Sequence, residues 1–195
     1  MNAILRKISS MYWRRVYSKI TPLLSRSASF GAGTVLYGVP EIVSAHPGHI
    51  TFGKRCVLTS LSPYTALGVK QRCRFNLLSD RAIIRIGDDV GLSGVVICAE
   101  NSVMIGANCL LGSGVAIFDT DFHQLSPANR RYAPIPPGKP VVLGANVFVG
   151  TNTLICKGVT IGDNSVIGAG SVVVKSIPAN VIAAGNPCIV IRENN

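Results

Sequence analysis

Residues 143–178 read LGANVFVGTNTLICKGVTIGDNSVIGAGSVVVKSIP, and the stretch returns to the same chemistry every six residues. Aliphatic side chains stand at Leu143, Val149, Ile155, Ile161, Ile167 and Val173, and glycine follows four of them, at Gly144, Gly150, Gly162 and Gly168. Six residues are too few for a helix and its turn but enough for a short strand and a tight corner, so stacked units line one interior with aliphatic ladders. Four places after each aliphatic come Val147, Thr153, Val159, Ser165, Ser171 and Ile177, small or β-branched for the most part, as a half-buried pleated position requires. Ala145-Asn146 and Asp163-Asn164 supply the short polar side chains that tolerate left-handed backbone angles at a turn. The pattern predicts a solenoid of short strands, not a helix bundle or a sandwich.

Working outward, the pattern extends upstream through Ile86-Gly87-Asp88-Asp89, Leu92, Ile105-Gly106-Ala107-Asn108, Leu111-Gly112 and Ile117. Leu92 and Ile105 are thirteen residues apart where two repeats would give twelve, which predicts one extra residue in a corner. Residues 27–83 repeat weakly, with Ile50-Thr51-Phe52-Gly53 and Leu67-Gly68 as traces, so irregular coils are expected there. From Asp119 to Val142 the repeat stops, in a segment carrying Pro127, Pro134, Pro136, Pro137 and Pro140 together with Arg130, Arg131 and Lys139. A loop of this length on a regular scaffold is more often functional than idle. It opens with Asp119-Thr120-Asp121-Phe122-His123, and a histidine can take a proton from an alcohol near neutral pH.

The chain of 195 residues is 48% hydrophobic and 14% charged, which excludes a disordered chain and fits one buried domain. Its net charge of +10 is weighted to the start, where Arg6, Lys7, Arg14, Arg15, Lys19 and Arg26 precede the first acid, Glu41. No recognition helix or stacking-aromatic motif accompanies the charge, so a nucleic-acid partner is not expected. Residues 1–20 read as an amphipathic helix, with Ile4, Ile8, Met11, Tyr12, Val16 and Ile20 near one face, ended by Thr21-Pro22. Two roles stay open for it: capping the solenoid or a neighbouring subunit, or peripheral contact of residues 1–26 with an anionic membrane, Trp13 and Tyr17 at headgroup level. The expected division is 1–30, helix and linker, and 31–195, a solenoid domain with the loop 119–142. Cys56, Cys73, Cys98, Cys109, Cys156 and Cys188 form no C-x-x-C pair and read as compact hydrophobes in a reducing compartment. No secretory core and no run long enough to span a bilayer is found, so the expected location is cytoplasmic, at the inner face of the cytoplasmic membrane if the helix meets lipid.

The run GVTIGDNSVIGAGSVVVKSIPANVIAAGNPCIVIR, residues 158–192, resembles the closing coils of the hexapeptide-repeat acyltransferases, the group of galactoside and maltose acetyltransferases and of polysaccharide-biosynthesis O-acetyltransferases. The resemblance covers roughly residues 84 to 192. It implies an all-β fold, a left-handed parallel β-helix against the usual right-handed crossover rule, with a short N-terminal α-helix and a protruding loop. It implies an O-acetyltransferase that moves an acetyl group from acetyl-CoA to a saccharide hydroxyl in surface polysaccharide or lipopolysaccharide biosynthesis, as a homotrimer with the site between subunits. His123 matches the catalytic base at the start of the loop, while His46 and His49 match nothing. Thr151 and Ala169 match coenzyme contacts, Lys175 and Arg192 its phosphate contacts, and Gly185-Asn186-Pro187 the closing turn. Asp119 and Asp121 stand open between orienting His123 and being solvated turn residues.

Departures limit what the resemblance implies. Phe148 stands for a tryptophan just before the coenzyme groove and Val174 for a threonine beside the phosphate-binding lysine, while Gly94 stands for the asparagine that contacts sugar in the galactoside enzyme, which points to a different acceptor such as a lipid-linked or nucleotide-linked saccharide. Three rivals remain. A zinc solenoid with three histidines lacks its ligands, since Ala128 stands five after His123, and no metal is expected. A streptogramin-type antibiotic acetyltransferase shares the histidine chemistry, and the repeat alone also permits a non-catalytic scaffold.

Overall fold

The six-residue period becomes one side of a triangle. In the computed structural model, which describes residues 11–12, 28–44, 49–128 and 130–194, three strand-and-corner units make each coil. The first coil holds β1 (Ala28–Phe30), β2 (Val35–Tyr37) and β3 (Glu41–Val43); the second holds β4 (Ile50–Phe52), β5 (Val57–Thr59) and β6 (Arg74–Leu77). The third holds β7 (Ile83–Ile86), β8 (Gly91–Ser93) and β9 (Val96–Ala99); the fourth holds β10 (Ser102–Ile105), β11 (Leu110–Leu111) and β12 (Ala116–Phe118). After the long loop come β13 (Val141–Leu143), β14 (Phe148–Val149) and β15 (Leu154–Ile155), then β16 (Thr160–Ile161), β17 (Val166–Ile167) and β18 (Val172–Val173). A hairpin of β19 (Val181–Gly185) and β20 (Cys188–Glu193) closes the chain.

Strands one coil apart pair in parallel and build three sheets: β1-β4-β7-β10-β13-β16, β2-β5-β8-β11-β14-β17-β19-β20, and β3-β6-β9-β12-β15-β18. This is the left-handed parallel β-helix. The ladders match the period: Leu143 faces Ile161, Val149 faces Ile167 and Ile155 faces Val173, each pair eighteen residues apart. Their side chains are fully buried, so each coil adds one aliphatic layer from each side.

The corner between the first and second sheets shows why the repeat has its composition. Glycine after the aliphatic is demanded by the stacking distance: a Cβ on Gly106 would lie 2.5 Å from the Gly144 carbonyl oxygen. The left-handed angle falls instead on the asparagine two places on, at Asn108, Asn146, Asn164 and Asn180, with φ of 56 to 61°. These side chains stack as a ladder, Asn146 Nδ2 donating to Asn164 Oδ1 at 3.0 Å and Asn164 Nδ2 to Asn180 Oδ1 at 2.9 Å. The small positions expected to be half-buried are fully buried, and their hydroxyls satisfy corner carbonyls: Ser165 Oγ donates to Pro178 O at 2.8 Å and Thr153 Oγ1 to Gly168 O at 3.2 Å. Cys109 Sγ does the same for Gly144 O at 3.1 Å and Cys56 Sγ for Gly87 O at 3.2 Å, so these thiols are weak donors as well as hydrophobes.

Several expectations need correction. The early coils are regular, not irregular, and the first strand starts at Ala28, inside the segment read as linker. Leu67-Gly68 is no repeat trace: Leu67 is 77% exposed, within an insertion of residues 60–73 between β5 and β6 that contains a 3-10 turn at Ser62–Tyr64. The thirteen-residue spacing is not one extra corner residue. Leu92 and Ile97 are five apart where their partners Leu111 and Ile117 are six apart, and the following side has eight, lengthening β9 and β10 to four residues each. Ile177 does not continue the series of small residues: it bridges Ile161, because Val173 and Ile177 are four apart where Ile155 and Ile161 are six apart. The amphipathic helix lies outside the described residues apart from Met11 and Tyr12, which are helical, and His46 lies outside them too. Among the described residues no helix is long and apolar enough to cross a membrane.

Candidate active site

The long loop leaves the third sheet after Phe118 and re-enters the first sheet at Val141, so it stands on the third corner of the triangle. Its base is held by a buried acid. Asp119 is fully buried, and its carboxylate accepts the Glu100 and Asn101 amides at 2.7 Å each from the coil beneath. Its own carbonyl accepts the Lys139 amide at 2.7 Å, and the Lys139 carbonyl accepts the Gly158 amide at 3.0 Å from the coil above. Glu100 adds its carboxylate to the Gly138 amide. Burial pushes the Asp119 carboxyl above its ordinary range, opposed by the amides it accepts and reinforced by the nearby Glu100 charge.

The outgoing arm is tied to the returning one: Thr120, fully buried, donates Oγ1 to Pro136 O at 2.8 Å, and Gln124 Nε2 donates to Pro134 O at 3.2 Å. Between these ties the backbone makes a three-residue turn, the His123 amide donating to Asp121 O at 2.7 Å, with Phe122 at φ +62°. A bulky residue at that angle is strained and must be held. The Phe122 ring packs on Phe118, centroids 5.6 Å apart, and the Asp121 carboxylate pairs with Lys157 on the coil above. The turn sets His123 on the surface, and among the described residues its imidazole has no hydrogen-bond partner within the chain.

Neither role open for the two acids is what the structure shows. Asp119 is a buried staple and Asp121 is neutralised by Lys157, so neither is a solvated turn residue and neither carboxylate is bonded to the His123 imidazole. Lys157 went unnoticed in the sequence because it occupies an ordinary repeat corner; its partner is thirty-six residues away. His49 is structural, its Nδ1 at 3.0 Å from Ala82 O.

The remaining predicted residues divide between two corners. Thr151 and Ala169 stack on the second corner, where the Gly170 amide donates to Thr151 O at 2.8 Å and Thr151 Oγ1 donates to Ser113 O at 2.5 Å. Lys175 is exposed on the third corner, the one that carries His123, in the last full coil, and Arg192 is exposed on β20 at the edge of the second sheet. The topology thus brings Thr151 together with Ala169 and leaves the third sheet between them and His123. The Gly185-Asn186-Pro187 turn links β19 to β20, with the Asn186-Pro187 peptide cis.

Beside Thr151 lies a feature the sequence did not announce. The 60–73 insertion folds over the second corner and encloses a cavity of about 390 Å³ against Ser113, Gly114, Thr151 and Asn152. Gly94, on the same corner, is buried beneath the insertion: a Cβ there would meet the Gln71 carbonyl at 2.9 Å and Val69 Cβ at 3.0 Å. Among the described residues no group of three or more His, Cys, Asp and Glu side chains is placed to hold a metal ion.

Comparison with known proteins meets this geometry at several points. Residues 140–175 match the family model described as bacterial transferase hexapeptide (six repeats). The galactoside O-acetyltransferase of Escherichia coli (strain K12) is 45% identical over 104 residues, 52% of this chain and 49% of that protein. A putative colanic acid biosynthesis acetyltransferase of the same strain, WcaF, is 52% identical over 54 residues, 28% of this chain and 30% of its own length. The chain thus spans about half the length, or less, of these curated relatives. Among solved structures, a galactoside acetyltransferase in complex with coenzyme A matches with a TM-score of 0.58 at 27% identity, over 100% of this chain and 84% of that one. A mutant of the N-acyltransferase AntD from Bacillus cereus, in complex with dTDP-4-amino-4,6-dideoxyglucose and coenzyme A, matches with a TM-score of 0.70 over 91% and 89%; at 17% identity it bears on the fold alone. Residues 140–175 thus carry a repeat of the bacterial transferase hexapeptide kind, set in three parallel sheets on the fold of a galactoside acetyltransferase.

Proposed function

We propose that the chain is an acetyl-CoA-dependent O-acetyltransferase that acetylates a saccharide hydroxyl, with His123 as general base. The observation that carries the reading is the turn at Phe122, a strained backbone held by ring packing and an ion pair that exposes one histidine whose imidazole has no hydrogen-bond partner among the described residues. The likeness to galactoside acetyltransferases, one of them solved with coenzyme A, supports the donor. The likeness to a putative colanic acid biosynthesis acetyltransferase supports a place in surface polysaccharide or lipopolysaccharide assembly, in the cytoplasm or at the inner face of its membrane.

The chemistry is direct transfer. A neutral His123 imidazole nitrogen takes the hydroxyl proton as the oxygen attacks the thioester carbonyl carbon; the carbon–sulfur bond breaks, and the proton passes to the departing thiolate. The tetrahedral oxyanion needs a donor, which a backbone amide supplies. Thr151 and Ala169 line the coenzyme's course along the second corner, and Lys175 and Arg192 meet its phosphates. A homotrimer completes the site, because the base and the coenzyme groove occupy different corners of one chain and a second wall makes a cleft of a shallow surface. Exposed apolar side chains support that assembly: Leu110 at 56% and Phe148 at 48% on the second sheet, Leu125 at 73% and Tyr132 at 80% on the loop.

Calorimetric titration with acetyl-CoA tests the reading. Saturable binding is expected to survive His123→Ala and to weaken in the Lys175→Ala, Arg192→Ala double variant, while turnover in His123→Ala falls by about 10²–10⁴-fold. Full turnover in His123→Ala, or an active monomer in light scattering, refutes the corresponding part.

A further inference from the structure

We propose that the cavity under the 60–73 insertion is the acceptor subsite, and that Lys70 makes it select a saccharide bearing an anionic group. The inference rests on the acyl-transfer reading above. On that reading the coenzyme phosphates lie at the C-terminal coils, by Arg192 on the edge of the second sheet, and its chain runs along the second corner past Ala169 and Thr151. The thioester end therefore points to the coils of Thr151 and Ser113, where the cavity is, and Thr151 belongs to both.

The insertion is built to stand there. Ser62 Oγ donates to Val69 O at 2.7 Å and accepts the Val69 amide at 3.1 Å, closing it on itself. Ser113 Oγ donates to Gly68 O at 2.7 Å, and Gln71 Nε2 donates to Gly94 O at 3.3 Å, fixing it to two successive coils. The bare backbone at Gly94 admits it, at φ +55° and with less than van der Waals room for a Cβ. The enclosed volume, about 390 Å³, is within the range of small-ligand sites and suits a sugar with a charged substituent.

Charge selects the ligand. Lys70 is the charged residue lining the cavity, no carboxylate lines it, and among the described residues Lys70 has no ion-pair partner. The Ser113 and Thr151 hydroxyl protons are already committed to backbone carbonyls, which leaves the Lys70 ammonium, the Asn152 amide and the second N–H of the Gln71 amide as side-chain donors to a ligand. A neutral glycoside satisfies the amides and leaves the cation without a counter-charge. A sugar phosphate, sugar diphosphate or uronate satisfies both, and an ammonium is a compact partner for such an oxyanion.

The test uses the full chain saturated with coenzyme A, titrated with methyl glycosides, sugar 1-phosphates, a uronic acid, UDP-linked sugars and a polyprenyl-diphosphate-linked sugar in detergent. An anionic probe is expected to bind about tenfold or more tightly than its neutral counterpart, with that preference lost in Lys70→Glu and reduced in Lys70→Gln. The probe bound best separates free, nucleotide-linked and lipid-linked sources. Equal binding of neutral and anionic probes, no anionic binding at about 10 mM, or an unchanged preference in Lys70→Glu overturns the inference and leaves acyl transfer standing. Failure of acetyl-CoA itself to bind overturns the donor reading and the inference with it.

Discussion

Replacing Asp119 by asparagine is the sharpest test of how the loop is held. The native carboxylate accepts two amides at 2.7 Å, from Glu100 and Asn101, in a site closed to solvent. Asparagine has nearly the same shape but a single acceptor oxygen, so one amide keeps its partner and the other faces an NH₂ group. A hydrogen bond to a charged group contributes about 1.5–3 kcal/mol, and a buried donor left unpaired costs about 1–3 kcal/mol. The variant also sheds the burial cost of the charge, which works the other way. We expect a net local loss of about 1–3 kcal/mol, carried by the loop base and not by the whole solenoid.

Amide hydrogen exchange reads this directly. Protection at Glu100, Asn101 and Lys139 is expected to fall by about 5- to 150-fold, while Val149 and Ile167, on the sheet opposite the loop's corner, keep theirs. The pH dependence has a definite sign. Because burial raises the Asp119 carboxyl above its ordinary value, the folded state binds the proton more tightly than the unfolded chain does. Its contribution to stability is therefore fully present below the ordinary carboxyl range and is lost as pH rises through the raised value. The stability difference between native and Asp119→Asn chains is expected to be largest in acid and smaller at neutral pH. Unchanged protection at all three amides refutes the staple, and a difference that grows with pH refutes the raised carboxyl.

Other predictions separate causes that look alike in the sequence. Gly150→Ala places a Cβ 2.4 Å from the Ala169 nitrogen and should cost about 2–3 kcal/mol, whereas Gly170→Ala meets nothing but a φ of +70° and should cost about 1 kcal/mol; thermal unfolding ranks them, and equal losses would contradict the stacking argument. Phe122→Gly relieves the positive φ but removes the ring from Phe118, so it should leave thermal stability within about 1 kcal/mol and lower kcat more than it raises KM for acetyl-CoA. Burial raises the thiols of Cys56, Cys73 and Cys109 above their ordinary range, so a thiol-disulfide reagent at neutral pH should modify them only on unfolding; fast labelling of the native chain at Cys73 would contradict the core.

The legible part of the fold is the part where side chains repeat. Leu143 to Val173 could be read because three sheets of equal width give one period, and every aliphatic named there is buried. The early coils obey the same rule, Phe30, Leu36 and Ile42 being six residues apart, as are Phe52 and Leu58. They were obscured because residues 60–73 interrupt the count before a second turn is complete, and because Gly38 and Gly94 answer to backbone angle and close packing instead of repeat position. Of the candidate site, the loop was legible as an interruption of the repeat with an exposed histidine near its start. Asp119 and Lys157 were not, because their meaning lies in contacts between coils eighteen or more residues away.

Both features that carry the functional argument are insertions, and both sit at corners for the same reason. An odd insertion within a strand would turn its aliphatic face outward and every coil above would lose register, whereas a corner can lengthen while the next strand resumes the ladder. The chain demonstrates the tolerance: a twenty-two-residue gap between Phe118 and Val141 still returns Val141 and Leu143 to face Val103 and Ile105, and the 60–73 insertion still returns Phe75 to face Ile42. The solenoid therefore fixes where chemistry is allowed to be added. It also fixes how firmly, because each added segment is tied to two coils, Asp119 and Lys139 to backbone amides for the loop, Gly68 to the Ser113 hydroxyl and Gln71 to the Gly94 carbonyl for the insertion. The proposed proton transfer would ask for such anchoring of His123, which stands four residues from the Asp119 staple.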